Sequence, residues 1–197
     1  MRLDQRLAER WITPGSRVLD LGCGDGDLLA HMQEKLGVRG YGVESDQARI
    51  ITAIGRGLSI IQQDLNDGLG RFADQSFDFV VMAQALQAVE SPDKLLLDMV
   101  RVGREAIITF PNFAHWKTRS YLGLRGRMPV SEALPYMWYN TPNIHLCTFR
   151  DFEVLCHSHG LRIINRLAVN GDQQGNLFMK HLPNLLGEVA IYRVTRS

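Results

Sequence analysis

Apolar and polar positions along the chain follow two periods, one near 3.6 and one of short unbroken runs. Leu3, Leu7 and Trp11 recur every four residues, the stripe of a short helix within residues 1–14 that Pro14-Gly15 stops. RVLDLG (17–22) is a continuous apolar run, the mark of a buried strand. From about Asp25, Leu28, Leu29, Met32 and Leu36 share a helix face, with Gly37 as its stop. RGYGVE (39–44) predicts a second strand, and Asp46 can cap a helix whose Ile50, Ile51 and Ile54 form one patch. LSIIQ (58–62), FDFVVM (77–82) and REAIITF (104–110) predict strands three to five. Pro92 opens a helix carrying Leu95, Leu96, Met99 and Val100 between the last two. Thr148 and Asp151 resemble a capping box ahead of Phe152, Leu155 and Cys156. Two strands, near 161–169 and 187–194, finish the pattern.

Strand and helix alternate with links short enough for right-handed crossovers, which predicts a doubly wound α/β sheet, mostly parallel, in one domain over residues 1–197. One interval breaks the rhythm: residues 111–148 form a long insertion, 38 residues without a clear period, before the sixth strand. Links in such folds usually run to about 2–6 residues, and long ones tend to be functional.

Composition narrows the class. At 197 residues, 45% hydrophobic and 22% charged, the chain can bury its own core and needs neither a disulfide nor a metal staple. The 22 basic and 21 acidic residues nearly cancel, so bulk charge gives no ground for a nucleic-acid or membrane partner. The N-terminal stretch has no apolar signal region, and no window of about 18 apolar residues could span a bilayer. Cys23, Cys147 and Cys156 form no CxxC pair, which fits a reducing cytoplasm.

The strongest local signal is VLDLGCGDG (18–26), a buried strand running into a glycine turn and then a helix. Glycines let the backbone turn sharply and let a ligand approach it, although such turns also arise for packing alone. Glu44 ends the second strand 18 residues beyond Gly26, where an acid can accept ribose hydroxyls of an adenosine cofactor. A dinucleotide would set its pyrophosphate on the turn, where Asp25 and Asp27 repel it. With Asp20, Glu44, Asp46, Asp64 and Asp67 these make an acidic rim, and no Lys or Arg lies between Val18 and Gln33. Such a rim suits a ligand carrying an ammonium and a sulfonium, as S-adenosylmethionine does. The plainer role of Asp25 and Asp27 is to stabilise a helix N-terminus.

DLGCGDG (20–26), VES (43–45), QDL (63–65) and SFDFVV (76–81) resemble the successive motifs of class I S-adenosylmethionine-dependent methyltransferases. The resemblance implies a Rossmann-like, seven-stranded sheet whose last strand is antiparallel. It places the cofactor's methionine part on Asp20, Gly22, Cys23 and Gly24. Glu44 and Ser45 fall at its ribose, Asp64 and Leu65 at its adenine, and Ala83 and Gln84 at the remaining wall. S-adenosylhomocysteine would occupy the same place.

The long segment adds two features. Lys117, Arg119, Arg125 and Arg127, with Trp116 and Tyr121 interleaved, make an acid-free strip over 112–128. It could bind RNA, an anionic substrate or an acidic partner, or be the solvated face of a helix. LPYMWYNTPNIHL (134–146) holds three aromatics and no charge, as a lid over the cofactor or a protein interface would. FPNFAHW (110–116), GRMPVSEALPYMWYNTPNIHLCT (126–148) and RDFEVLC (150–156) are very similar to the MetW family of bacterial methionine-biosynthesis proteins. LQAVESPDK (86–94) and MVRVGREAIITFPN (99–112) match it too. That resemblance implies an S-adenosylmethionine-binding accessory subunit working with a homoserine O-acyltransferase of the MetX type. The alternatives are a methyltransferase of a small molecule or of RNA. His115, Tyr136, Tyr139 and His145 are the side chains that could assist methyl transfer, and none is assigned as catalytic. No GxSxG elbow is present, so an acyl-transfer nucleophile would belong to the partner.

Overall fold

The computed structural model of the chain describes residues 2–131, 133–170, 173–174, 179 and 181–196. Met1 and Glu132, which belong to the 1–14 and 111–148 segments, lie outside them. Five strands, β1 (Arg17–Leu21), β2 (Arg39–Glu44), β3 (Ile60–Gln62), β4 (Phe77–Ala83) and β5 (Gly103–Pro111), pair in parallel. Beyond β5 come β6 (Leu161–Asn170), the two-residue β7 (Gln173–Gln174) and β8 (Val189–Arg196). The sheet order is β3-β2-β1-β4-β5-β8-β6-β7, with β8 antiparallel to both its neighbours. The expected seven strands are there, and β7 adds a short eighth at the edge.

Among the described residues the α-helices include α1 (Leu3–Glu9), α2 (Asp27–Leu36), α3 (Gln47–Gly55), α4 (Pro92–Val102), α5 (Trp116–Arg125), α6 (Phe149–Ser158) and α7 (Pro183–Leu186). Two cores lie on opposite faces of the sheet. Leu7, Leu28, Leu29, Met32 and Ala53 of α1–α3 meet Val18, Phe79, Val81, Ile107 and Ile191. On the other face Leu95, Leu96 and Met99 of α4 and Phe149 and Phe152 of α6 meet Leu19, Val80, Met82, Ile108 and Phe110. Alternate residues of each strand thus feed alternate faces, as a pleat requires. Tyr192 of β8 joins the second core, its ring 4.6 Å from Phe152 and 5.9 Å from Phe110. Its hydroxyl donates to Glu153 Oε1 at 2.9 Å and ties α6 to the sheet.

Several terminators behave as expected. Gly37 ends α2 at φ 61°. Thr148 Oγ1 accepts from Asp151 N at 3.2 Å at the start of α6. Asp46 Oδ1 accepts from Arg49 N at 3.0 Å at the start of α3. Asp46→Ala leaves that N–H to water and should lower stability by about 1 kcal/mol. Chemical denaturation of the two proteins measures it.

Other expectations shift. α1 stops at Glu9, so Trp11 lies beyond it, and α2 begins at Asp27 with Gly26 before it. In α3 only Ile50 and Ala53 are buried; Ile51 and Ile54 face water, because β3 is three residues long and offers α3 little sheet to cover. The long segment contains a helix, α5, whose only buried residue is Thr118. A helix so weakly sided leaves little apolar period in the sequence.

Candidate functional site

The chain passes from β1 to β2 on one side and to β4 on the other, and a crevice opens where the order of succession reverses. The loops after β1, β2 and β4 enclose a cavity of about 800 Å³ there. All ten residues singled out from the sequence line it: Asp20, Gly22, Cys23, Gly24, Glu44, Ser45, Asp64, Leu65, Ala83 and Gln84.

The glycine turn is anchored at its start by two donors, Gly22 N and Cys23 N, which reach Val43 O at 2.9 and 3.1 Å. Packing explains Gly26: at φ 78° a Cβ would sit 2.2 Å from Leu58 Cδ1. It does not explain Gly24, where a Cβ would meet only Arg49 Nη1, at 3.6 Å, and would otherwise point into open space at φ 58°. Cys23 packs over Gly42, where a Cβ would lie 2.5 Å from Sγ. Burial, with Asp20 and Glu44 nearby, pushes its thiol up to about 12. It is a filler rather than a thiolate nucleophile.

Glu44 organises the turn. Its Oε1 accepts from Ser45 N at 2.8 Å and Asp46 N at 3.0 Å, and its Oε2 from Gly24 N at 2.9 Å. A carboxylate offers about four acceptor positions, so one, on Oε2, stays open toward a ligand. Asp20 is buried, and its Oδ2 has no hydrogen-bond partner among the described residues. Burial pushes this carboxyl up to about 7; Arg2 opposes the shift and Glu44 adds to it. Asp64 Oδ1 accepts from Asn66 N at 2.9 Å and so fixes the short turn that carries Leu65.

The wall after β4 is held from the N-terminus. Gln84 sits at φ 58°, a left-handed conformation that costs a non-glycine residue on the order of 1 kcal/mol or more. Its N–H donates to Thr109 O at 2.9 Å, and its Nε2 to Asp4 Oδ2 at 3.1 Å. The same Asp4 oxygen accepts from Thr109 Oγ1 at 2.8 Å, and Arg2 Nη2 donates to Ala83 O at 3.2 Å. The N-terminal segment therefore clamps the wall in place.

The charge picture needs correcting. Of the seven rim acids, Asp20, Asp25, Asp27, Glu44 and Asp64 line the cavity, and Asp46 and Asp67 do not. Arg2 enters the lining from the N-terminus and Arg49 from the first turn of α3, just beyond β2, and Arg56 pairs with Asp27. Among the described residues the lining holds five carboxyls to two guanidiniums, an acidic excess. Gln87, which sequence reasoning passed over, also lines it. It is buried, its Nε2 donates to Gln84 O at 2.8 Å, and its Oε1 has no partner among the described residues. Its place in the loop after β4, three residues past Gln84, was the available signal, as was that of Arg49, four residues past Ser45; nothing local marked Arg2.

Of the four side chains that could assist methyl transfer, only Tyr136 reaches this cavity. His115 is buried in a smaller one with Tyr121 and Glu188, its ring nitrogen 4.0 Å from Glu188 Oε1, and burial lowers its pKa. His145 Nε2 lies 3.3 Å from Glu90 O, and Tyr139 faces water. In the basic strip, Lys117 pairs with Glu188 at 3.7 Å and Arg119 Nε donates to Ala114 O at 2.6 Å, the pattern of a solvated helix face. Among the described residues no group of three or more His, Cys, Asp or Glu is placed to hold a metal ion, and no helix is long and apolar enough to cross a membrane.

Comparison with known proteins places the chain in a family and a fold. The model of a family described as "Methionine biosynthesis protein MetW" matches residues 2–194. A relative from Rhodopirellula baltica, called "Bifunctional methionine biosynthesis protein MetXA/MetW", is 36% identical over 206 residues, covering 100% of this chain and 33% of that protein. A ubiquinone/menaquinone biosynthesis C-methyltransferase UbiE from Stenotrophomonas maltophilia is 36% identical over 106 residues, 49% of this chain and 41% of that one. The chain thus spans less than half the length of these relatives. Among solved structures, an S-adenosylmethionine-dependent methyltransferase from Mesorhizobium loti superposes with a TM-score of 0.72 at 15% identity, covering 98% of both chains.

Proposed function

Because the chain belongs to the MetW family of methionine biosynthesis proteins, we propose that it is an accessory subunit that binds S-adenosylmethionine, or S-adenosylhomocysteine, and works with a homoserine O-acyltransferase of the MetX type. The observation that carries the ligand half of this reading is the buried Asp20 Oδ2, without a partner among the described residues, on a residue that lines an acidic cavity built on a glycine turn. A buried acceptor without a donor is costly, and a cationic ligand supplies one. Asp20 would serve the ammonium end, Glu44 the ribose, and Asp64 with Leu65 the adenine. When bound, S-adenosylmethionine supplies a methyl group on a sulfonium.

The partner half rests on the relative whose name joins MetXA to MetW and of which this chain matches a third. A chain without a serine elbow of its own would leave acyl transfer to that partner. Calorimetry with S-adenosylmethionine, with NAD as comparator, and size-exclusion chromatography with the acyltransferase test the two halves. The expected results are saturable binding of the first ligand alone and co-elution of the proteins. Absence of binding removes the ligand half. Separate elution at micromolar concentration, with acyl transfer unchanged on mixing, removes the partner half.

Tyr136 at the cavity favours a second reading, a methyltransferase of a small molecule. That reading requires turnover to S-adenosylhomocysteine in the presence of a metabolite extract.

Affinity should depend on pH through Asp20. A cation binds its ionised form, which the free protein populates above a pKa of about 7. Protons compete below that, so affinity rises with pH and levels off above 7. Between pH 7.5 and 6 the dissociation constant should weaken by about eightfold, the ratio of ionised fractions for such a group. Asp20→Asn should bind more weakly at high pH and show a flat profile; a flat profile in the unaltered protein counts against the assignment.

A further inference from the structure

The described residues of 127–146 form a roof that contributes both to the lining of the cavity and to the outer surface. Ala133, Pro135, Tyr136, Pro142 and Asn143 line the cavity, Pro135, Tyr136 and Pro142 being exposed as well; Met137, Trp138, Tyr139, Ile144 and Leu146 are exposed and do not line it. Trp138 and Tyr139 pack edge to face at 5.7 Å, yet remain 73% and 68% exposed. Contiguous apolar surface of this kind is rare on a chain that works alone, and its makeup is that of an interface centre: aromatics, methionine and no charge over 134–146. The lack of Lys and Arg there sets nucleic acid aside, since phosphate contacts need them. The fused relative says which protein lies near: its remaining two-thirds is held beside the matching third by one polypeptide, at high effective concentration.

The roof is also wired to the cavity. Among the described residues of 127–146, backbone hydrogen bonds to the rest of the chain come from Ile144 N and His145 N, at 2.8 and 3.0 Å, and both end on Gln87 O. Gln87 lines the cavity, its buried Oε1 has no partner among the described residues, and its Nε2 donates to Gln84 O. A ligand that donates to this Oε1 fixes the short loop from which the roof hangs.

We infer that the outer side of the roof is the docking face for the MetX-type acyltransferase, and that filling the cavity orders the roof and tightens docking. This rests on the function proposed above and adds where the partner sits and how the ligand controls it. By linkage, the partner must tighten the ligand by the same factor.

The test is the dissociation constant for the acyltransferase, measured by interferometry with and without saturating S-adenosylmethionine, for the unaltered protein, Trp138→Ala/Tyr139→Ala and Gln87→Leu. The unaltered protein should bind the partner at least about fivefold more tightly with the ligand, the lower end of ordinary coupling. The double variant should lose partner binding at least tenfold while calorimetry shows unchanged ligand affinity. Gln87→Leu should still bind the partner, with the ligand's effect reduced to less than twofold. Unchanged partner binding by the double variant overturns the docking face. An unchanged or weaker constant with ligand overturns the coupling. In both cases the proposed function stands, because partner and ligand still bind. No partner binding by the unaltered protein removes both. A dimer of this chain that the double variant dissolves assigns the face to a second copy and overturns the inference.

Discussion

Gly24→Val is expected to abolish binding of S-adenosylmethionine, weakening it by more than about a hundredfold, the cost of losing several kcal/mol of contacts at once. Two effects act together. Gly24 has φ 58°, where a β-branched side chain is strained. Its Cβ direction is open apart from Arg49 Nη1 at 3.6 Å, so the new isopropyl group would occupy the cavity itself. Because nothing else is packed there, the fold should survive, and circular dichroism with a melting curve checks that it does. Binding at the original affinity in calorimetry would move the ligand elsewhere.

Glu44→Ala should weaken the same ligand roughly ten- to 150-fold, the loss of about 1.5–3 kcal/mol from a charge-assisted hydrogen bond. It should also lower the melting temperature, because Gly24 N, Ser45 N and Asp46 N all lose their acceptor. Glu44→Gln separates the two roles. The amide oxygen can still accept from one side of the turn, but the other oxygen becomes a donor facing an N–H. An affinity equal to that of the unaltered protein in both variants would remove Glu44 from the site.

Much of this site is legible before any coordinates, for a physical reason. A parallel sheet buried on both faces writes its strands as apolar runs, so the ends of β1, β2 and β4 can be located, and ligands gather where such strands end. The turn at 22–26 is local, as is Glu44 at its strand end. Arg2 escapes because it arrives from the N-terminal segment through tertiary packing, and Arg49, although only four residues past Ser45, because the packing of α3 decides which way its side chain goes; with them escapes the true charge of the cavity. Ile51 and Ile54 read as core only if α3 covers a broad sheet, and it covers a narrow one. Helix α5 is hard to read because Trp116, Tyr121, Leu122 and Leu124, apolar as they are, face outward.

The position of β8 has a consequence for how the chain is made. Leu161–Asn170 and Gly103–Pro111 are next-nearest neighbours in the sheet, and the strand that belongs between them is Val189–Arg196. During synthesis the nearly all-buried edge of β5 therefore waits, with its backbone groups unpaired, until some eighty further residues have left the ribosome. A nascent chain in that state presents an open, apolar template for β-pairing. Chaperone capture and co-translational aggregation should thus be greatest for stalled products ending between residues 111 and 189, and should fall sharply once the closing strand slots in.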